Sequence, residues 1–128
     1  MRIPPARVTS GFVYVVDDEP HLAELYTIIL EAADCRVRTF RDRREALDAL
    51  RTAHDKPDLL ITDYDGHSMP VDAFMHQCLM IHPALRILMV SGFNPADVRF
   101  SQARPNRYMQ KPFRLEHLER EVRAALAA

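Results

Sequence analysis

Short apolar runs alternate along the chain with longer stretches of helical periodicity. Phe12-Val13-Tyr14-Val15-Val16 is a continuous β-branched and aromatic run, the pattern of a strand buried on both faces. It stops at Asp17-Asp18-Glu19-Pro20. Proline and neighbouring acids suit a helix N-terminus, so a helix is predicted from about Pro20 to Ala33, with Leu22, Leu25, Ile29 and Ala32 on one face. Arg36-Val37-Arg38-Thr39-Phe40 alternates polar and apolar, as a strand near a sheet edge does. Asp42 then caps a second helix to about Ala53, with Ala46, Leu47 and Leu50 inward. Asp58 to Thr62 reads as the third strand, and Val71 to Ile81 as the third helix with Pro83 just beyond it. Arg86 to Val90 is the fourth strand, ending at Ser91-Gly92. From 93 to 106 the periodicity is weak, and Pro95 and Pro105 bracket a short helix. Tyr108-Met109-Gln110 is a fifth strand ending at Lys111-Pro112. The last helix runs from about Arg114 to Ala127, with Leu115, Leu118, Val122 and Leu126 on one face.

Five alternations of strand and helix call for a parallel sheet with helices on both faces. The first, third and fourth strands are the most apolar and the second is polar enough for an edge. That favours a flavodoxin-like, doubly wound α/β fold of (βα)5 type with strand order 2-1-3-4-5, whose switch point lies between strands one and three. Residues 1–10 read as a loose lead-in and 11–128 as one domain.

The 128 residues suffice for an ordinary core without staples. A formal net charge of -1 predicts no general attraction to nucleic acid or to anionic membranes. No apolar run is long enough to span a bilayer, and the first residues lack a signal-peptide core, so a cytoplasmic chain is expected. Cys35 and Cys78 lack metal or redox spacing and read as small apolar fillers. There are fifteen Arg but only two Lys, Lys56 and Lys111, which gives the second of these more weight. Arg36, Arg38, Arg41, Arg43 and Arg44 form a basic run that reads as a solvated edge rather than a docking surface. His76 and His82 do not share a helix face and make a poor metal pair.

The chemistry follows from the strand order. Strands one and three would bring Asp17, Asp18, Asp63 and Asp65 to the switch point, while strand four delivers Ser91 and strand five Lys111. Carboxylates this close repel one another, and a hard divalent cation with oxygen ligands is the usual remedy. Mg²⁺ suits a site with few carboxylates that engages a phosphate. Asp17 or Asp18, Asp63 and a backbone carbonyl near Asp65 would be its ligands. Lys111 would be the opposing point charge, and Ser91 a hydrogen-bond donor to a phosphoryl oxygen.

Taken together, Val15-Val16-Asp17-Asp18-Glu19-Pro20, Leu60-Ile61-Thr62-Asp63, Met89-Val90-Ser91-Gly92 and Tyr108-Met109-Gln110-Lys111-Pro112-Phe113 resemble the receiver domain of two-component response regulators, over residues 12 to 126. The resemblance implies that Asp63 is the phosphoacceptor and that Asp17 and Asp18 form the Mg²⁺ pocket, with the Asp65 carbonyl as a further ligand. It makes Ser91 the switch hydroxyl, Lys111 the charge partner of the phosphoryl group and Tyr108 the switch aromatic. It also implies a cis Lys111-Pro112 peptide. A histidine kinase or histidine phosphotransfer protein would donate the phosphoryl group. Partners, or a second copy in a homodimer, would read the face made by the fourth helix, fifth strand and fifth helix. Such a protein is a phosphoacceptor in signalling rather than an enzyme, catalysing only its own phosphorylation and dephosphorylation.

Three departures stand out. The region before Tyr108 has Arg104-Pro105-Asn106-Arg107 in place of the family's usual Gly-Ala pair, so a short fourth helix is expected. Gly66-His67 replace the Met-Pro that many receivers carry after the phosphoacceptor, and His67 reads as an exposed loop histidine rather than a contact to metal or phosphate. Asp65 is an acid at a position expected to tune phosphoryl lifetime. Two other functions compete. Asp63-Tyr64-Asp65-Gly66 also resembles the Asp-x-Asp-Gly motif of haloacid-dehalogenase-type phosphatases, which would leave Asp17-Asp18 unexplained. A receiver fold could also bind partners without phosphorylation. Cognate kinase, signal and output, and whether the chain stands alone or belongs to a longer protein, are not legible in the residues.

Overall fold

The computed structural model describes residues 11–65 and 69–127. The elements follow in the order β1 (Phe12–Val16), α1 (Pro20–Ala32), β2 (Arg36–Phe40), α2 (Arg43–Thr52), β3 (Leu59–Asp63), α3 (Val71–Ile81), β4 (Arg86–Ser91), β5 (Arg107–Gln110) and α4 (Leu115–Ala127). All neighbouring strands are parallel, in the order β2-β1-β3-β4-β5. The polar β2 takes the edge, as its alternation predicts, and Arg36 and Arg38 stack there over the rings of Phe12 and Phe40.

The sheet divides the core in two. Val13, Val15, Leu59, Ile61, Leu88 and Val90 face α1 and α4, against Tyr26, Leu30, Leu118 and Val122. Tyr14, Val16, Leu60, Ile87 and Met89 face α2 and α3, against Leu47, Leu50, Phe74 and Met75. Successive strand residues point to opposite faces, so continuous apolar runs are what a sheet covered on both sides requires. Cys35 and Cys78 are both buried, as fillers should be.

Three helical expectations need correction. The inward stripe of α1 is centred on Tyr26 and Leu30 rather than on Leu25 and Ile29, and Ala32 is exposed. Tyr26 buries the larger surface and stacks on Phe113, which rotates the helix toward it. Leu115, expected inward on α4, is 49% exposed. Between β4 and β5 there is no α-helix, only a single 3₁₀ turn at Pro95–Asp97. Asn94 caps that turn by accepting the Ala96 N–H, and Pro95 sets its start. Asp72, in the first turn of α3, then holds the chain extended. Its carboxylate accepts from the backbone N–H groups of Ser101, Gln102 and Ala103 and from the Ser101 hydroxyl. Amides captured in this way are not available to a helix. The fold is therefore doubly wound with four α-helices among the described residues.

Candidate phosphoacceptor pocket

Strand register brings the polar residues together. Val16 of β1 lies opposite Thr62, Asp63 opposite Val90, and Ser91 opposite Gln110. Asp17 thus leaves β1 beside the end of β3, and Ser91 ends the next strand over. Asp17, Asp18 and Asp63 each offer a carboxylate oxygen, and these atoms all lie within 4.8 Å of one another. Asp17 is 4% exposed, and its Oδ1 accepts the Glu19 N–H at 2.9 Å. Lys111 approaches from β5 with Nζ 3.9 Å from Asp17 Oδ2. Its backbone N–H is fixed to the Ser91 carbonyl at 2.7 Å, and the Lys111-Pro112 peptide is cis, as the resemblance implied.

The electrostatics reflect this crowding. Burial pushes the Asp63 carboxyl up to about 6; Arg43 pulls it back, and Asp17 and Asp18 add to the rise. Burial also raises Asp17, against the Glu19 N–H and the Lys111 charge, which lower it. A cluster of hard, mutually repelling carboxylate oxygens, with Asp17 buried, Asp63 half-buried and Asp18 open to solvent, is a donor set that Mg²⁺ fits.

Ser91 and Tyr108 meet at one residue. Ser91 Oγ accepts the Phe93 N–H at 3.0 Å, and the Tyr108 hydroxyl donates to the Phe93 carbonyl at 2.7 Å. Ser91 is buried and Tyr108 half-buried. Asp65 is exposed; its backbone carbonyl points to Arg43, which donates to it at 2.9 Å. Gly66 and His67 lie outside the described residues, so the expectations placed on them stand as they were.

Arg43 is the residue that the sequence reading misplaced. Arg36, Arg38, Arg41 and Arg44 are exposed, as a solvated edge requires, but Arg43 is 4% exposed. From the first position of α2 its Nη2 donates to Asp63 Oδ1 at 3.1 Å and to the Asp63 carbonyl at 2.9 Å, while Nη1 donates to the Met69 carbonyl at 2.6 Å. No sequence signal separates it from Arg44, which sits in the same first turn and is exposed.

The comparisons agree with this geometry. Residues 13–123 match the model of the response regulator receiver domain. The probable transcriptional regulatory protein TcrX of Mycobacterium tuberculosis is 29% identical over 116 residues, 89% of this chain and 49% of that protein. The DNA-binding transcriptional regulator NtrC of Escherichia coli is 28% identical over 119 residues, 91% of this chain and 25% of that one. The chain thus spans about half or less of these relatives. Among solved structures, the chemotaxis response regulator CheY4 of Vibrio cholerae superposes with a TM-score of 0.81 at 25% identity, covering 91% of this chain and 98% of that one. The response regulator TrrA of Thermotoga maritima, in complex with Mg²⁺-BeF, gives 0.77 at 21% identity, covering 89% and 97%. The phosphatase resemblance leaves the grouping of Asp17 and Asp18 with Asp63 unexplained, and the receiver pattern accounts for it. With its strand order, its acidic cluster and a family match over nearly its whole length, the chain belongs to the receiver domains of two-component response regulators.

Proposed function

We propose that Asp63 accepts a phosphoryl group from phosphohistidine on a histidine kinase or histidine phosphotransfer protein. A carboxylate oxygen of Asp63 forms the new P–O bond as the donor's P–N bond breaks. The electron pair leaves with the imidazole nitrogen, which takes up a proton. The observation that carries this reading is the convergence of Asp17, Asp18 and Asp63 beside Lys111. Asp17, Asp18, Asp63 and the Asp65 carbonyl would hold Mg²⁺, which supplies charge neutralisation for the transferring oxygens. Lys111, already drawn toward the pocket by Asp17, offers its ammonium to a phosphoryl oxygen. Ser91 donates its hydroxyl proton to another.

Readout follows from the shared partner. When Ser91 turns toward the phosphoryl group it releases the Phe93 N–H, and the Phe93 carbonyl is the acceptor that holds Tyr108. The surface that changes is made by the segment 98–106, β5 and α4, because no helix precedes β5. A kinase, a downstream protein or a second copy of the chain would read that surface. An exposed acid at position 65 stands beside the acyl phosphate and alters its lifetime.

Incubation with acetyl phosphate and Mg²⁺ should give stoichiometric labelling that Asp63→Asn abolishes. Multiple turnover of a small phosphomonoester without stable labelling would support the phosphatase instead.

A further inference from the structure

Arg43 brings a buried guanidinium into this pocket of carboxylates. Its guanidinium is enclosed at the start of α2, and four acceptors converge on it: the carbonyls of Asp63, Asp65 and Met69 and the Asp63 carboxylate. Three of these belong to the two residues that end β3 and open the following loop. Two of them, the Asp63 carboxylate and the Asp65 carbonyl, are atoms assigned above to Mg²⁺. A guanidinium cannot give up its proton at any ordinary pH, so this charge is permanent. Burial disfavours the charged form, and Asp63, Asp65 and Asp18 act in the opposite direction to retain it.

We propose that Arg43 is a tethered cation of the phosphoacceptor pocket, holding the Asp63 carboxylate and the Asp65 carbonyl in the metal-free protein and competing there with the divalent ion. The inference rests on the Mg²⁺ reading given above. Its physical basis is simple. Bringing a doubly charged ion to oxygens already hydrogen-bonded to a buried positive charge costs Coulomb repulsion in a medium less polar than water. The affinity for Mg²⁺ is therefore set below what the three carboxylates alone would give. In return, the loop after β3 is tied to α2 before any metal enters.

Calorimetric titration of Mg²⁺ into the full chain and two variants tests this. Arg43→Gln removes the charge and keeps a shorter, neutral hydrogen-bond donor; it should bind Mg²⁺ at least about tenfold more tightly. Arg43→Lys keeps the charge and loses the fork; it should stay within about threefold of the parent, because a point charge repels as well as a planar one. Equal or weaker binding by Arg43→Gln would overturn the proposal and leave Arg43 as a loop staple. A second measurement needs no variant. The Arg43 guanidinium N–H resonances of the parent should shift during the titration with the same midpoint as the heat. Resonances that stay fixed through saturation would overturn the proposal even if Arg43→Gln failed to fold. Absence of Mg²⁺ binding by parent and variants alike would instead remove the proposed metal site on which the inference rests.

Discussion

Asp63 keeps its proton to higher pH than an ordinary carboxyl does. Its carboxyl is pushed up to about 6, first by burial, with Arg43 opposing and Asp17 and Asp18 reinforcing. The folded protein therefore binds a proton there more readily than the unfolded chain does. Between about pH 4 and pH 6 the folded state holds the extra proton, so the stability contributed by Asp63 falls as pH rises through that window. Asp63→Asn lacks this titration. The melting temperature of Asp63→Asn relative to the parent, both without metal, should increase between pH 4 and pH 6 and then level off. The change corresponds to at most about 3 kcal/mol and to less after solvent screening. A difference that stays flat, or narrows, would contradict the account. Mg²⁺ should compete with the same proton, so its affinity should fall steeply below about pH 6.

At the scale of elements, the segment between β4 and β5 matters most. Asp72 straps it to α3 through bonds from Ser101, Gln102 and Ala103. A second tie comes from aromatic rings. Tyr64, directly after Asp63, packs edge-on against Phe93 and Phe100, at centroid distances of 5.6 and 5.9 Å. The segment is thus linked to the residue next to the proposed phosphoacceptor. Desolvation, the largest single influence, raises the Asp72 carboxyl, but the hydrogen bonds from Ser101, Gln102 and Ala103 together outweigh it and hold it down to about 2. Such a depressed carboxyl contributes stability above about pH 4, and that stability is lost as pH falls through about 2. Asp72→Ala should speed amide exchange at Ser101, Gln102 and Ala103 about fivefold, or about 1 kcal/mol for a largely exposed set of charged hydrogen bonds. Unchanged exchange at those three amides would show that the strap is held elsewhere.

For the molecule as a whole, most of the fold was legible because its signals are local. The strand at Phe12–Val16 is one continuous apolar run, and the helix at Val71–Ile81 starts just after Pro70 and ends two residues before Pro83. The acidic site was legible because parallel topology sends every strand's C-terminal end to one edge, so Asp17, Asp63, Ser91 and Lys111 converge once the strand order is known. What escaped depends on tertiary contacts. Arg43 looks like its exposed neighbours until Asp63, Asp65 and Met69 fold over it. The missing helix before β5 depends on Asp72, some thirty residues away in sequence. The one-residue shift of the α1 stripe toward Tyr26 accompanies its stacking on Phe113.

The central claim is that Asp63, among four neighbouring aspartates, takes the phosphoryl group. Reduction by borohydride converts an acyl phosphate of aspartate to homoserine and so marks the modified residue permanently. After loading with acetyl phosphate and Mg²⁺, peptide mass spectrometry of the reduced protein should find homoserine at position 63 alone. Homoserine at 17, 18 or 65, or at no aspartate after loading, would contradict it.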